Sequence, residues 1–365
     1  MKIKTITCHD VYNVGASLQA YALAQYLTGQ GHDVEIIDYK PDYLSRHYSL
    51  SVVSNPRYDR PLVRQAYLLA KLPGRLMARF GGRKKNFDLF KQSMLRVTAK
   101  RYDSAAALQD DPPEADAYIA GSDQIWNPLF PNGKDEAFFL AFVPDGRKRI
   151  SYAASFAVEE LTGEDRARMK PWLEKLDAVS VREASGVRLL ESMGLQGVQV
   201  CDPVFLLTRE QWAALAVQQS GGVFVYDFDS SEQVQQMADA LSESRNKPIV
   251  SVFPMPHAAQ VCKDMGPLEF LGAIASADAV LSNSFHATAF ALLFHKDFFV
   301  VERREKINTR MRDLLQSVGL PNRMIRSAEE ITDAEPIDWE QIDQRLLRIV
   351  EYSKTFLRNS LSEEN

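Results

Sequence analysis

His286 stands where an apolar segment gives way to a polar turn and then to a second apolar segment, within residues 279–290 (AVLSNSFHATAF). This order predicts a strand, a turn and a helix. In an open parallel sheet the ligand crevice lies at the carboxyl ends of the strands, and the first amides of the following helix attract anions. An imidazole at that point can act on a bound phosphate ester. The alternative is that His286 only caps or packs against its helix.

Hydroxyl, amide and basic groups lie close to His286 in the sequence. The turn before it supplies donors that either bind a ligand or cap the helix. Residues 302–310 follow the next predicted strand and are dense in cations, which either face the same crevice or form a solvated surface. The candidate binding residues here are Asn283, Ser284, Lys306 and Arg310.

Arg182 lies in Ser-Val-Arg-Glu, residues 180–183, at the end of another predicted strand. A guanidinium fixed there can grip a carboxylate or a phosphate with two parallel hydrogen bonds. The alternative is a salt bridge to Glu183 or to another local carboxylate. With His286, Arg182 is the candidate for catalysis.

Two further clusters occupy strand-to-helix turns. Residues 13–19 (NVGASLQ) combine a glycine with polar side chains, which either bind hydroxyls and phosphate or cap the helix. Residues 121–128 (GSDQIWNP) combine a carboxylate, amides, a hydroxyl and an indole, a mixture that suits sugars but also suits a self-satisfied turn around a packed ring. The candidate binding residues are Asn13, Gly15, Ser17, Gln19, Gly121, Ser122, Asp123, Gln124 and Trp126.

Apolar strands alternate with helical patterns along most of the 365 residues, which predicts parallel sheets built from strand-helix-strand units. We therefore expect an α/β chain with two Rossmann-like domains that face a cleft. Residues 1–205 form the first domain and residues 206–335 the second. Residues 336–365 form a long amphipathic helix that packs across both.

Residues 57–101 contain 13 Lys or Arg against Asp59 and Asp88, so this segment carries +11 and the rest of the chain −16. Apolar residues recur there near helical spacing, and we expect a basic helical insertion in the first domain. A helix of this kind can rest on an anionic membrane or meet an anionic substrate, or it can simply be solvated. Nucleic acid is not an expected partner, because no recognised motif accompanies the charge.

The three cysteines are widely separated, and neither they nor the histidines and carboxylates show metal-ligand spacing. We expect no metal site. The chain lacks a recognisable signal sequence and an apolar run of the ~20 residues needed to span a membrane, which predicts cytoplasmic residence, with peripheral contact at the inner membrane face if the basic segment docks there.

The order of these motifs resembles the polysaccharide pyruvyl transferase family from Thr7 to about Met324. The matching blocks, all in this numbering, are 13–23, 121–128, 151–156, 180–183, 201–204, 269–271, 282–289 and 308–310. Val14 stands where an aromatic residue is common in the family, and Ala157 and Ala287 stand where glycine is common.

The resemblance implies a fold similar to the GT-B glycosyltransferases and a pyruvyltransferase that uses phosphoenolpyruvate as donor substrate, with no separate cofactor. The pyruvyl group would pass to two hydroxyls of a sugar or lipid-linked glycan acceptor, which gives a cyclic ketal and phosphate. Arg182, with Arg310 or Lys306, would hold the donor. His286 would act as the acid toward the methylene carbon or as the base toward the attacking hydroxyl.

Two other functions fit the same architecture. A GT-B glycosyltransferase would use a nucleotide sugar and would need a nucleotide pocket in the second domain. A non-catalytic relative would bind saccharide only, and would have no need of His286 and Arg182.

Overall fold

Two parallel β-sheets organise the chain in a computed structural model that describes residues 1–45, 48–52, 60–303, 308–332 and 334–362. The first sheet has the order β3-β2-β1-β4-β5 and the second the order β10-β9-β8-β11-β12-β13. The prediction of an α/β chain with two Rossmann-like units is confirmed. The first sheet comprises β1 (Lys2–Ile6), β2 (Asp33–Tyr39), β3 (Val97–Tyr102), β4 (Ala117–Ala120) and β5 (Lys148–Ser151).

The second sheet comprises β8 (Val223–Tyr226), β9 (Ile249–Ser251), β10 (Ala258–Val261), β11 (Ala279–Ser282), β12 (Asp297–Val301) and β13 (Met324–Ile325). A short parallel pair, β6 (Ser180–Val181) and β7 (Val198–Gln199), extends the first half of the chain. All residues of β4, β8 and β11 are buried, as expected for strands covered by helices on both faces.

Helices connect and cover the strands of both sheets. In the first half they are α1 (Val14–Gly29), α2 (Asp42–Ser45), α3 (Pro61–Phe80), α4 (Gly82–Met94), α5 (Ala105–Asp110), α6 (Gly163–Leu173) and α7 (Ala184–Ser192). In the second half they are α8 (Arg209–Ala213), α9 (Glu232–Arg245), α10 (Pro267–Ser276), α11 (Phe285–Leu293), α12 (Thr309–Val318), α13 (Glu329–Thr332) and α14 (Trp339–Leu361). Short 3₁₀ turns cover Pro131–Lys134, Glu136–Phe139, Pro203–Leu206 and Pro321–Arg323.

The direction of winding reverses once in each sheet. In the first sheet β1 pairs with β2 on one side and β4 on the other, and in the second β8 pairs with β9 and β11. Such switch points leave a crevice at the carboxyl ends of the central strands. The loops after β1, β4, β8 and β11 are therefore the places where a ligand site is expected.

The two halves share one apolar core. Tyr21 of α1 packs against Trp212, with ring centroids 5.8 Å apart, and Trp212 packs edge-on against Phe290 of α11 at 5.0 Å. The α14 helix contacts both halves: the Lys148 ammonium donates to the Ser360 carbonyl at 3.2 Å, and the Arg345 guanidinium donates to the Val318 carbonyl at 3.2 Å. The boundaries at 205 and 335 remain predictions.

Two predicted segments differ from the structure. The expected insertion, 57–101, ends earlier, because its last residues form β3, an edge strand whose polar alternation looks like part of the charged segment. Residues 57–59 lie outside the described ranges. The strand expected over 148–156 ends at Ser151, because Ala153 and Ala157 have φ values of 51° and 55°. This left-handed conformation favours glycine, which explains why glycine is common at the position of Ala157 in the family that the sequence resembles.

The α3 helix leaves large apolar side chains in solvent. Leu69, Met77 and Phe80 are 70%, 77% and 80% exposed, on a helix that also carries Lys71 and Arg79. The α3 helix is basic and amphipathic, but it does not bury this apolar surface on the core. No helix in the described ranges is long and apolar enough to cross a membrane.

Candidate active site

A cavity of about 130 Å³ lies where the two switch points face each other. Its wall combines polar groups, one imidazole, two guanidinium groups and exposed aromatic surface from loops of both sheets. The lining residues are Asn13, Asp123, Gln124, Phe228, Asn283, Ser284, Phe285, His286, Arg303, Arg310 and Met311. Most of the predicted segments thus contribute to one place.

His286 lies in the first turn of α11 and is 6% exposed. The Ser284 hydroxyl accepts from the Ala287 amide at 3.5 Å and caps the helix, so His286 itself is not the cap. Nε2 of His286 lies 3.5 Å from Oδ2 of Asp202 and has no hydrogen-bond partner among the described residues. The other ring nitrogen, Nδ1, faces Gly15 across the contact between the two halves.

Gly15 makes room for the His286 ring, since a Cβ at Gly15 would overlap the imidazole. We expect Gly15→Ala to fold but to lower turnover by about 10²-fold or more, because a catalytic group displaced by about 1 Å loses that much. The matched control is Gly29→Ala at the end of the same helix, where a Cβ meets nothing within 4 Å. Equal turnover of the two variants, measured beside circular dichroism, would show that the contact is unimportant.

Asp202 is the site residue that sequence reasoning missed. Its Oδ2 accepts from Nη1 of Arg182 at 2.5 Å and faces His286, while its Oδ1 accepts from the Val204 amide at 3.1 Å. Burial alone would raise the pKa of Asp202, but His286 and Arg182 outweigh it and hold the pKa below its ordinary value. Two signals could have found it: Asp202 lies in block 201–204 of the family resemblance, and it caps the helical turn that begins at Pro203.

The depressed pKa of Asp202 predicts an acid-dependent loss of stability. A group with a lowered folded-state pKa stabilises the protein above its unfolded pKa, about 3.9 for Asp, and the contribution disappears as the pH falls toward the folded value. We expect Asp202→Asn to have a lower free energy of unfolding than wild type near neutral pH. The difference in unfolding free energy should become smaller below about pH 4. Urea unfolding across this pH range measures the difference, with Asp110→Asn at an exposed position as control. A difference in unfolding free energy that stays constant with pH would contradict the prediction.

Arg182 is 5% exposed and does not pair with its neighbour Glu183. Glu183 instead accepts from the Ser155 hydroxyl and the Phe156 and Ala157 amides. Besides its bond to Asp202, Arg182 has Nη2 at 3.6 Å from Oδ1 of Asp123. Its Nε and Nη2 are buried without a hydrogen-bond partner in the described ranges, so donors remain for an anion.

Arg310, in the first turn of α12, lies next to Arg182. The guanidinium carbon of Arg310 lies 5.8 Å from the centroid of the Phe285 ring, and that of Arg182 lies 4.6 Å from the same centroid. Burial, and then the charge of Arg182, lower the pKa of Arg310 to about 10. Its Nε is also buried without a hydrogen-bond partner among the described groups. Two buried cations this close are stabilised by an anion between them.

Part of the segment 121–126 does not face the cavity. Trp126 is fully buried, donates from Nε1 to the Phe138 carbonyl at 3.0 Å and stacks on Phe139, so the expected sugar stacking on Trp126 is wrong. Ser122 is also buried, with its hydroxyl on the Ala153 carbonyl at 2.7 Å. At Gly121 φ is 127° and a Cβ would overlap the Tyr152 carbonyl, so this glycine is structural.

The segment 13–19 divides in the same way. The Asn13 side chain lines the cavity and caps α1 by accepting from the Gly15 amide at 2.9 Å. Gln19 is buried and joins the Ser122 amide at 3.0 Å to the Thr7 hydroxyl at 2.9 Å, so it holds two loops together and is not available to a ligand. Ser17 is buried on the same helix, away from the lining.

The other predicted residues lie as follows. Asp123 and Gln124 line the cavity, and so do Asn283 and Ser284. The Asn283 side chain accepts from the Phe228 amide at 3.0 Å and donates to buried Asp227. Lys306 lies outside the described residues. Arg303 belongs to the predicted cation-rich segment 302–310 and lines the cavity. Phe228 was not predicted; it is 37% exposed at the cavity, with the Arg303 guanidinium 5.2 Å from its ring centroid.

Within the described ranges, no group of three His, Cys, Asp or Glu side chains is arranged to hold an ion. Two acidic side chains belong to the site: Asp202, which is paired with Arg182, and Asp123, which lies near both arginines.

Solved structures with a similar arrangement of elements are enzymes of nucleotide sugars. They include a UDP-GlcNAc 2-epimerase from Neisseria meningitidis (10% identity, 100% of this chain and 95% of that chain, TM-score 0.48) and one from Methanocaldococcus jannaschii (12%, 96% and 100%, TM-score 0.49). A UDP-glucosyltransferase from Polygonum tinctorium is 11% identical over 98% of this chain and 97% of that chain, with a TM-score of 0.43. Likenesses this distant do not bear on the activity.

No curated protein matches the sequence. The family model for polysaccharide pyruvyl transferase does match, over residues 13–305. This range covers most of the chain and contains Asn13, Asp123, Arg182, Asp202 and His286, the residues that the fold brings together. The chain therefore belongs to the polysaccharide pyruvyl transferase family.

Proposed function

We propose that this protein transfers the pyruvyl group of phosphoenolpyruvate to two hydroxyls of a sugar in a polysaccharide or glycan precursor, with release of phosphate. One observation carries the proposal: Arg182 and Arg310 hold buried N–H groups without hydrogen-bond partners beside His286. Buried donors of this kind are costly unless a ligand satisfies them. A small anion with both a carboxylate and a phosphate would do so.

The two arginines would hold the donor at both of its charged ends. A guanidinium can donate two parallel hydrogen bonds to a carboxylate or phosphate, and Arg303 at the cavity wall adds a third cation. Asp123, near both arginines, would prevent excess positive charge when the donor is absent. Lys306 remains a candidate for the same task.

His286 would move the protons. With Nε2 directed to Asp202, Nδ1 is the nitrogen that would exchange a proton with the substrates. In the first half, the imidazolium would protonate the methylene carbon, and the positive charge would form on the neighbouring carbon. A sugar hydroxyl would add to that carbon and give its proton back to His286. The acid and base roles would thus be two steps of one cycle.

The second half closes the ketal. The bond between the same carbon and the bridging oxygen would break, and the oxygen would leave with phosphate. A second hydroxyl of the sugar would then add and pass its proton to the departing phosphate, so that one carbon carries a methyl group, a carboxylate and two sugar oxygens. Buried cations next to the leaving phosphate would stabilise its charge.

The acceptor sugar would lie on the Phe228 side of the cavity. An exposed aromatic ring suits the apolar face of a sugar, and Asn13, Gln124, Asn283 and Ser284 offer amide and hydroxyl groups for its hydroxyls. Phe228 would then stack on the sugar, which is the role that the sequence suggested for Trp126.

The test is phosphate release from phosphoenolpyruvate with a panel of sugars and lipid-linked sugars, for wild type, His286→Ala and Arg182→Ala, each checked for folding. We expect sugar-dependent release that both substitutions abolish. Thermal stabilisation by a nucleoside diphosphate but not by phosphoenolpyruvate would overturn the proposal in favour of a nucleotide-sugar glycosyltransferase.

We also propose that α3 rests on an anionic membrane at the cytoplasmic face. Its exposed Leu69 and Met77 can enter the interface, while Lys71 pairs with lipid headgroups. Arg75 and Arg83 are poor probes, because they hold the backbone carbonyls of Leu50 and Met265 at 2.8 Å and 3.1 Å.

The membrane contact predicts a clear result in vesicle sedimentation. Leu69→Asp, Lys71→Glu and Met77→Asp together should reduce binding to phosphatidylglycerol vesicles by about 10²-fold, since each headgroup-bound cation contributes about 1 kcal/mol and the apolar groups add to it. Binding at the wild-type level would contradict the proposal. A variant with Lys175→Glu on the α6 side serves as control.

A further inference from the structure

A second cavity, of about 650 Å³, opens beside the catalytic one, between the end of α3, the start of α4 and the loop after β1. We call it the basic cavity; its wall includes Tyr12, Tyr48, Arg79, Lys84, Lys85 and Asp88. We propose that it binds a phosphate or diphosphate group of the acceptor, so that the attached sugar reaches the catalytic cavity. This inference rests on the proposed function.

The charge of the basic cavity suits an anion. Asp88 accepts from the Tyr12 hydroxyl at 2.9 Å and from the Lys84 ammonium at 2.5 Å, so its charge is already neutralised within the wall. Arg79 and Lys85 form no ion pair with another described residue, and both are exposed. Two cations on a concave surface therefore remain for a ligand.

Aromatic rings stand next to these cations. The rings of Tyr12 and Tyr48 meet edge to face with centroids 4.5 Å apart, and the Lys84 ammonium lies 5.6 Å and 6.0 Å from the two centroids. Rings offer a surface to a sugar and cations bind its phosphate, so the combination fits a sugar attached to phosphate better than it fits a bare ion.

The basic cavity has a fixed position relative to the catalytic one. Tyr12 directly precedes Asn13, which lines the catalytic cavity. The Arg83 guanidinium donates to the Tyr12 carbonyl at 3.4 Å and to the Met265 carbonyl at 3.1 Å, and the Arg83 amide donates to Asp264 at 3.2 Å. The start of α4 is thus joined to both halves of the chain, and one acceptor can contact both cavities.

The phosphate can come from a soluble sugar phosphate or from a lipid-bound diphosphate, because the binding chemistry is the same. Phe80 forms part of the wall and is 80% exposed at the end of α3. A lipid chain leaving the cavity would pass along this apolar surface, whereas a soluble phosphate would not need it. The experiment therefore has one arm for each source.

The test is calorimetric titration with inorganic pyrophosphate. We expect wild type to bind it, Arg79→Glu with Lys85→Glu to weaken binding at least about tenfold, and Arg182→Ala to retain it. For phosphoenolpyruvate we expect the reverse: Arg182→Ala should weaken its binding, and Arg79→Glu with Lys85→Glu should retain it. Lys175→Glu with Arg188→Glu makes the same charge change at exposed positions elsewhere and should leave pyrophosphate affinity unchanged.

Two results would overturn the inference. Pyrophosphate affinity that does not respond to Arg79→Glu with Lys85→Glu places the anion elsewhere, and affinity lost in Arg182→Ala places it at the proposed donor site of Arg182 and Arg310. Failure of phosphoenolpyruvate to bind, with pyrophosphate binding intact, would instead remove the proposed donor. Phosphatidylglycerol vesicles that displace pyrophosphate identify a lipid-bound phosphate, and vesicles that bind without displacing it identify a soluble one.

Discussion

Replacement of His286 by alanine is expected to lower kcat by about 10²- to 10⁴-fold, the usual contribution of a positioned acid or base. The affinity for phosphoenolpyruvate should change little, because the arginines and not the imidazole would hold the donor. His286 is buried and contacts Asp202 and Gly15, so circular dichroism of the variant accompanies the kinetics. Steady-state kinetics with the acceptor and calorimetry with the donor measure the two quantities separately.

The control for this prediction is His257→Ala, an exposed histidine paired with Asp239 far from the cavity. It should behave like wild type. A His286→Ala protein with the kcat of wild type would remove His286 from the mechanism, whereas a protein that has lost donor binding as well would assign His286 to binding. The pH profile of kcat should lose one limb in the variant, which a purely structural residue would not cause.

The second large effect concerns Arg182. Arg182→Lys keeps the charge but loses the planar donor pair, and we expect donor affinity to fall by about 10- to 100-fold. Arg182→Ala also leaves Asp202 buried without its partner, and removing one member of a buried ion pair costs about 3–5 kcal/mol of unfolding free energy. Calorimetry with phosphoenolpyruvate and urea unfolding test these two statements.

Arg188→Ala, an exposed arginine on α7, is the matched control and should change neither quantity. Donor affinity retained in Arg182→Lys and in Arg182→Ala would mean that the anion binds elsewhere. Weakened affinity with unchanged stability would mean that Asp202 finds another partner, and Arg310 is then the residue to examine.

Local patterns in the sequence were sufficient to predict which residues lie at the carboxyl ends of the strands. Asn13, Asp123, Asn283 and His286 each follow an apolar strand, and parallel sheets bring such positions to one edge. The edge strand β3 could not be recognised, because a polar edge strand looks like part of a charged segment. Its pairing with β2, sixty residues away in sequence, is a long-range property.

Contacts between distant segments explain the other differences. Trp126 in a polar turn has the same local pattern whether it stacks on a sugar or packs on Phe139, and only the burial of the loop decides. Asp202 becomes a site residue because Arg182 and His286 approach it from two different elements. In the sequence Gly15 looks like an ordinary turn glycine. In the structure a glycine is needed at this position because the His286 imidazole, from the other half of the chain, occupies the space of a Cβ.

The most direct test of the central claim is the transfer reaction run in D₂O with phosphoenolpyruvate, followed by NMR of the glycan product. If the methylene carbon is protonated by the enzyme and the pyruvyl group then forms a ketal, the product carries one deuterium in the methyl group and phosphate appears in equal amount. A product without this methyl group, or phosphate release without any modified glycan, would contradict pyruvyl transfer by this protein.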